Sequence, residues 1–183
     1  MPNAVAAIHD ILAFWREAGP KKWFNKDAAF DQEIRTRFLA THEAAAAGTL
    51  ADWENTAEGA LALVILLDQF PRNMFRGSAR AFATDPMAHR IADGAIAKGY
   101  DGQVSATDRQ FFYLPFEHSE SLADQDRCVT LFRAAGDAEL LKWAELHADI
   151  IRKFGRFPHR NAVLGRATTA AEQAFLDSGG FAG

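Results

Sequence analysis

Thr56-Ala57-Glu58-Gly59-Ala60-Leu61-Ala62-Leu63-Val64-Ile65-Leu66-Leu67-Asp68-Gln69-Phe70-Pro71 is the stretch whose reading decides the fold class. Thr56 has the short hydroxyl side chain that caps a helix start. From Ala60 to Leu67 the residues are apolar without a break, so a helix here has no polar side to give to water. Such a helix lies at the centre of a fold. It is far shorter than the ~20 residues needed to cross a bilayer. Pro71, which has no N–H to donate, closes it.

Working outward, helical periodicity continues in both directions. Val5, Ile8, Leu12 and Trp15 form one stripe, ending at Gly19-Pro20. Asn25 is placed to cap a second helix with the stripe Phe30, Ile34, Phe38 and Thr41, ended by Gly48, and Leu50 with Trp53 marks one short turn. Downstream, Asp85 before Pro86 predicts a helix over 86–98, with Asp85 as its cap. Ser105 with Asp108 resembles a capping box and opens a helix carrying Phe112, Tyr113 and Phe116, which Pro115 kinks or restarts. A helix over 122–135 ends at Gly136, Asp137 caps another reaching Phe154, and Thr169 with Glu172 boxes a last short one. No stretch alternates with period two. The expectation is an all-α chain of about eight helices, a single helical domain over 1–183. Pro71, Pro115 and Pro158 recur at spacings of 44 and 43, each beside a Phe, which favours an α-α superhelix of stacked helix pairs over a four-helix bundle.

The 183 residues are 49% hydrophobic and 24% charged, enough apolar material for a real core and too much for a disordered chain. A net charge of −4 gives no reason to expect nucleic acid. Neither a membrane span nor a secretory signal is evident, and the lone Cys128 sits in an amphipathic stretch as a buried, inert thiol, so a reducing cytoplasm is the expected compartment. The charge is uneven, however. Residues 150–165 contain no acid, and Arg152, Lys153, Arg156 and Arg160, with Arg166 just beyond, concentrate five cations and leave −9 on the rest.

Three clusters carry candidate chemistry. The first, Leu67 to Asn73, sets Asp68 on the buried stripe of the central helix with Arg72 and Asn73 after it. A carboxylate there needs an arginine or other donors, whether it pins a helix end or floors a pocket. The second, Arg109 to Glu120, puts Arg109, Phe112, Tyr113 and Phe116 on one face, and sets His118 and Glu120 beyond a proline break. His118 is a candidate general acid or base, with Glu120 or Asp68 to orient it. The third runs from His147 to Arg166. His147 lies in an apolar stripe, where a satisfied core histidine is the commoner reading. The loop after Gly155 displays Arg156, His159, Arg160 and Asn161 without an acid beside them, a pattern suited to a carboxylate or phosphate.

These clusters resemble the signature blocks of a bacterial family known only as domain of unknown function 924. The matching text is Leu66-Leu67-Asp68-Gln69-Phe70-Pro71-Arg72-Asn73, Tyr113-Leu114-Pro115-Phe116-Glu117-His118-Ser119-Glu120 and Phe154-Gly155-Arg156-Phe157-Pro158-His159-Arg160-Asn161. Phe14-Trp15, Trp23-Phe24 and Leu164-Gly165-Arg166 fit as well. The resemblance implies a tetratricopeptide-like α-α superhelix and no particular activity.

Two functional readings stand. One is a binding module for a small anionic metabolite or carboxylate, with Arg72, Asn73, Arg109, Tyr113, His147, Arg156, Arg160, Asn161 and Arg166 as ligand contacts. The other is a hydrolase or lyase using His118, Glu120, Asp68 and His159 on an anionic substrate. His118, Glu120, His147 and His159 could be drawn together around a metal, but no metal-binding signature is present, nor a phosphate loop or nucleophile elbow, so no metal or cofactor is expected. Nucleic acid and membrane are not expected partners. A protein partner is an open option through Trp15, Trp23 and Trp53, whose ordinary use is core packing.

Overall fold

In a computed structural model the protein is described over residues 5–181, which form helices joined by turns and loops, with no strand among them. They form two compact units. The first contains the residues up to Arg76 together with Arg80–Pro115; the second contains Gly77–Ala79 and the residues from Phe116 onward.

The first unit is built from α1 (Ile8–Ala18), α2 (Pro20–Trp23), α3 (Ala28–Ala46), α4 (Ala57–Val64), α5 (Phe70–Met74), α6 (Asp85–Ala97) and most of α7 (Ala106–Glu117). Asp27, not Asn25, caps α3, its carboxylate accepting from the Ala29 and Phe30 amides. Asn25 instead donates back to the Lys21 carbonyl. Thr56 caps α4 as expected, through the Gly59 amide. Asp85 is not the cap of α6 but its first residue, and its carboxylate turns to Arg72. An aromatic core of Phe14, Trp15, Trp23, Phe30, Phe38, Phe70 and Phe111 holds these helices together. Burying each such ring contributes about 2–3 kcal/mol. Trp15 and Trp23 therefore belong to the core.

The central helix does not stop at Pro71. Between α4 and α5 the chain widens into a π-helical turn, Ile65–Gln69, in which the Phe70 amide reaches back to the Ile65 carbonyl. Pro71 brings no N–H, so the carbonyls one turn behind it lack their usual donor. Side chains replace it. The Nδ1–H of His42 donates to the Leu66 carbonyl at 2.8 Å, and the Thr84 hydroxyl donates to the Leu67 carbonyl at 2.6 Å. Arg72 donates to the Asp68 carbonyl. The helix passes its proline because three neighbours satisfy the exposed oxygens.

The second unit contains α8 (Leu122–Ala135), α9 (Ala138–Phe154) and α10 (Ala170–Asp177), with the end of α7. The ends of these three helices match the sequence reading. Gly136 and Asp137 join α8 to α9, and these two pack on each other as a helix pair. Thr169 and Glu172 form the capping box of α10. Pro115 sits in the last turn of α7 without interrupting it.

The π-turn account makes a stability prediction. Thr84→Val removes the donor to the Leu67 carbonyl and leaves a buried oxygen unpaired, so urea unfolding should show a loss of about 1–3 kcal/mol. An unchanged midpoint would contradict it.

Candidate functional site

Gly155 ends α9 with a φ of +69°, a left-handed conformation that glycine adopts without steric cost. The chain then turns through Pro158–Arg160 and runs to the start of α10. Its arginines meet carboxylates supplied from outside the acid-free stretch. Arg166 makes a two-pronged pair with Glu120, Nη1 to Oε2 at 2.7 Å and Nη2 to Oε1 at 3.0 Å. It also donates to the side-chain oxygen of Asn161 and to the Phe157 carbonyl. The Phe157 amide donates to Glu120 at 2.8 Å. Arg156 pairs with Glu172 at 2.6 and 2.8 Å and donates to the Ala167 carbonyl. Asn161, fully buried, donates to Glu172.

These bonds set the protonation states. Burial alone would raise the Glu120 pKa, but the bonds from Arg166 and the Phe157 amide outweigh it and lower it. Glu172 is drawn down to about 2, first by Arg156 and then by the Thr169 amide. Glu120, Glu172, Arg156 and Arg166 are thus charged and matched as two pairs.

Beside this network lies a group of imidazoles. Arg160 is 7% exposed, stacks over the Phe157 ring at 4.5 Å and donates to the His118 carbonyl at 3.0 Å. His147 donates through Nδ1 to the Trp143 carbonyl one turn back in α9. The His159 Nδ1 is buried and has no hydrogen-bond partner among the described residues. Burial first, and the Arg160 charge second, push the His159 pKa down to about 3. Burial likewise lowers His147 to about 4. Both are neutral at pH 7. Their rings lie against Phe157 and against Phe181, which meets His147 edge-on at 4.5 Å and His159 at 5.2 Å.

The remaining sequence-derived candidates lie in the first unit. Asp68 is completely buried and is held by Arg72 at 3.2 Å and by Gln69 at 2.6 Å. Arg72 also forks onto Asp85 with two bonds of 3.0 Å. Asn73 and Arg76 both bond Asp31. Arg109 donates to the Asp101 carbonyl, and the Tyr113 hydroxyl donates to the Asp101 carboxylate. That unit also has an open cleft of about 510 Å³ lined by Arg16, Trp23, Glu58, Ser105 and Asp108 among others, and by none of the candidate catalytic or ligand-binding residues. No group of metal-ligating side chains is assembled among the described residues.

A family model described as a bacterial protein of unknown function, DUF924, matches residues 11–180. The chain belongs to this family. A solved structure of a protein of unknown function from Agrobacterium tumefaciens is similar over 93% of this chain and 97% of its own, with 51% identity and a TM-score of 0.91. No curated protein matches the chain. The three DUF924 blocks thus fall on the π-turn with α5, on the end of α7 with its following loop, and on the loop after α9. In each, the block's own polar residues tie the backbone down: Arg72 to the Asp68 carbonyl, Arg160 to the His118 carbonyl, and Glu120 to the Phe157 amide.

Reading the sequence missed Glu172 and Phe181 as parts of the loop site. Glu172 was visible only as a capping residue; its second role required knowing that α10 returns to the loop. Phe181 carries no local signal beyond being aromatic.

The neutral histidines predict acid sensitivity. Their folded pKa values lie below the ordinary 6.5, so the unfolded chain takes up protons first and stability falls as pH drops below about 6.5. Each should cost about 1–2 kcal/mol between pH 7 and 5. His42, also lowered by burial, adds to this in the first unit. Thermal melts of His147→Gln and His159→Gln should show a flatter pH dependence than the parent across that window; parallel curves would contradict the assignment.

Proposed function

We propose that this protein binds a small anionic molecule at His159 and Arg160 in its second unit. The observation that carries the reading is the buried His159 Nδ1 without a partner. Buried polar atoms in folded proteins are nearly always satisfied, and an exception calls for a ligand, a water or a functional role. The surroundings favour an anion. The imidazoles of His147 and His159 are neutral, so Arg160 supplies the positive charge felt by both. Glu120 and Glu172, the acids bonded to the arginines of the loop, are each neutralised by one of those arginines, and the buried Glu117 carboxylate lies against the other imidazole, 3.4 Å from His147 Nδ1. A ligand carboxylate or phosphate would accept from His159 and gain from the guanidinium in a site of low dielectric.

Catalysis by His118 is the second reading. It needs a carboxylate to orient the imidazole. Both oxygens of Glu120 are already taken by Arg166 and the Phe157 amide, and Asp68 is bound by Arg72 and Gln69. Binding without turnover is therefore the better supported of the two.

His159→Phe keeps a ring between Phe157 and Phe181 and removes the unpaired nitrogen. Calorimetric titration with inorganic phosphate and with acetate should show binding of at least one to the parent chain, weakened about tenfold or more in the variant. The variant's Tm should be unchanged or higher, because an unsatisfied polar atom has been replaced by apolar surface. Equal affinity in both chains, or no binding to the parent, would sink the proposal.

A further inference from the structure

The ring of Phe181 occupies a place that a ligand could take. It makes edge-to-face contacts with both His147 and His159, at 4.5 and 5.2 Å, on imidazoles that also contact Phe157. The chain is shaped to put it there. After α10 the Gly179 amide bonds the Leu176 carbonyl and the Gly180 amide bonds the Phe175 carbonyl, a paired closure that reverses the chain with Gly179 at a φ of +80°. Gly180 approaches so closely that an added Cβ would lie 2.5 Å from the Phe175 carbonyl oxygen. The turn therefore tolerates only glycine at 180, and the residue after it is delivered onto the histidine pair. Phe181 is partly buried there against Ile150, Ile151 and Phe157, unlike the fully buried Phe157.

We infer that the anion site takes a ligand carrying an aromatic ring, which binds in the place of Phe181, so that Phe181 is the chain's own competitor for the site. The inference rests on the binding reading above and narrows it to aromatic acids. The edge-on imidazoles suit a ring, since aromatic pairs favour this arrangement over simple burial of the same area. The Phe157 ring contacts both imidazoles as well and carries Arg160 stacked on it, so that His159 Nδ1 and the Arg160 guanidinium would meet the acid group of such a ligand. An aliphatic acid would leave the two imidazoles in contact with Phe157 but without the second ring that Phe181 now supplies. No bond is made or broken in this exchange; one ring replaces another.

Phenylacetate and acetate share a head group and differ in the ring, so the pair reports the inference. Calorimetry on the parent chain and on Phe181→Ala, with phenylacetate, acetate and cyclohexylacetate as probes, should show phenylacetate gaining about tenfold or more in affinity from the substitution. Acetate should be unchanged, and cyclohexylacetate should gain less than phenylacetate. Phe181→Leu keeps an apolar plug without a ring and should give an intermediate gain; it stands in for the alanine variant if that one does not fold. If phenylacetate binds both chains equally, or no better than acetate in either variant, the inference is overturned. Should acetate and phosphate still bind in a His159-dependent way in that case, the anion site survives without it; if no anion binds any chain, both fall.

Discussion

The second unit depends on two arginine–carboxylate forks, Arg166 with Glu120 and Arg156 with Glu172. The segment from Phe154 to Arg166 has no acid of its own, and a loop with that charge would be held in place by nothing local. Glu120 reaches it from the loop after α7, and Glu172 from the first turn of α10. Each carboxylate does two jobs. Glu120 also accepts the Phe157 amide, and Glu172 also accepts the Thr169 amide, so each fork fixes a backbone position together with an arginine. With those positions fixed, Phe157, His159 and Arg160 are presented as a rigid set. Breaking one partner of such a partly buried pair leaves the other charge stranded, which costs far more than the pair itself contributes.

The same logic governs the first unit. There a π-helical turn and a proline expose carbonyls in the central helix, and His42, Thr84 and Arg72 are spent on covering them. The DUF924 blocks read as islands of polar residues because each island lies where regular helix bonding fails. A block of this kind is thus first a structural device. What distinguishes the block after α9 is the residue left over: His159 lies inside it, partly buried, with a buried nitrogen that the network does not use.

Much of the fold could be read directly. Gly136, Asp137, Thr169 and Glu172 placed the ends of α8, α9 and α10, because capping is a local bond between a short polar side chain and amides two or three residues on. The path through Pro71 was not legible, since its repair comes from His42 and Thr84, which are distant in sequence. Asn25 and Asp85 both have the chemistry of a cap; Asp27 took the first role because its carboxylate meets two amides, and Arg72 drew Asp85 away from the second. For the site, the acid-free loop correctly marked where arginines gather. It could not show that Glu120 and Glu172 fold onto them, so the reading of a bare cationic loop gives way to a neutralised frame around Arg160 and two neutral imidazoles. Arg72, Asn73, Arg109 and Tyr113 are bonded to Asp68, Asp85, Asp31 and Asp101 within the first unit.

The central claim is that His159 Nδ1 is held in reserve for an anion. Its most direct test is the imidazole nitrogen spectrum of the uniformly labelled protein, recorded by long-range proton–nitrogen correlation while acetate or phosphate is added at neutral pH. The account predicts that His159 begins as a neutral ring and that its Nδ1 resonance moves with saturation, while His147 Nδ1, already bonded to the Trp143 carbonyl, stays where it is. A His159 spectrum unmoved by either anion would contradict it.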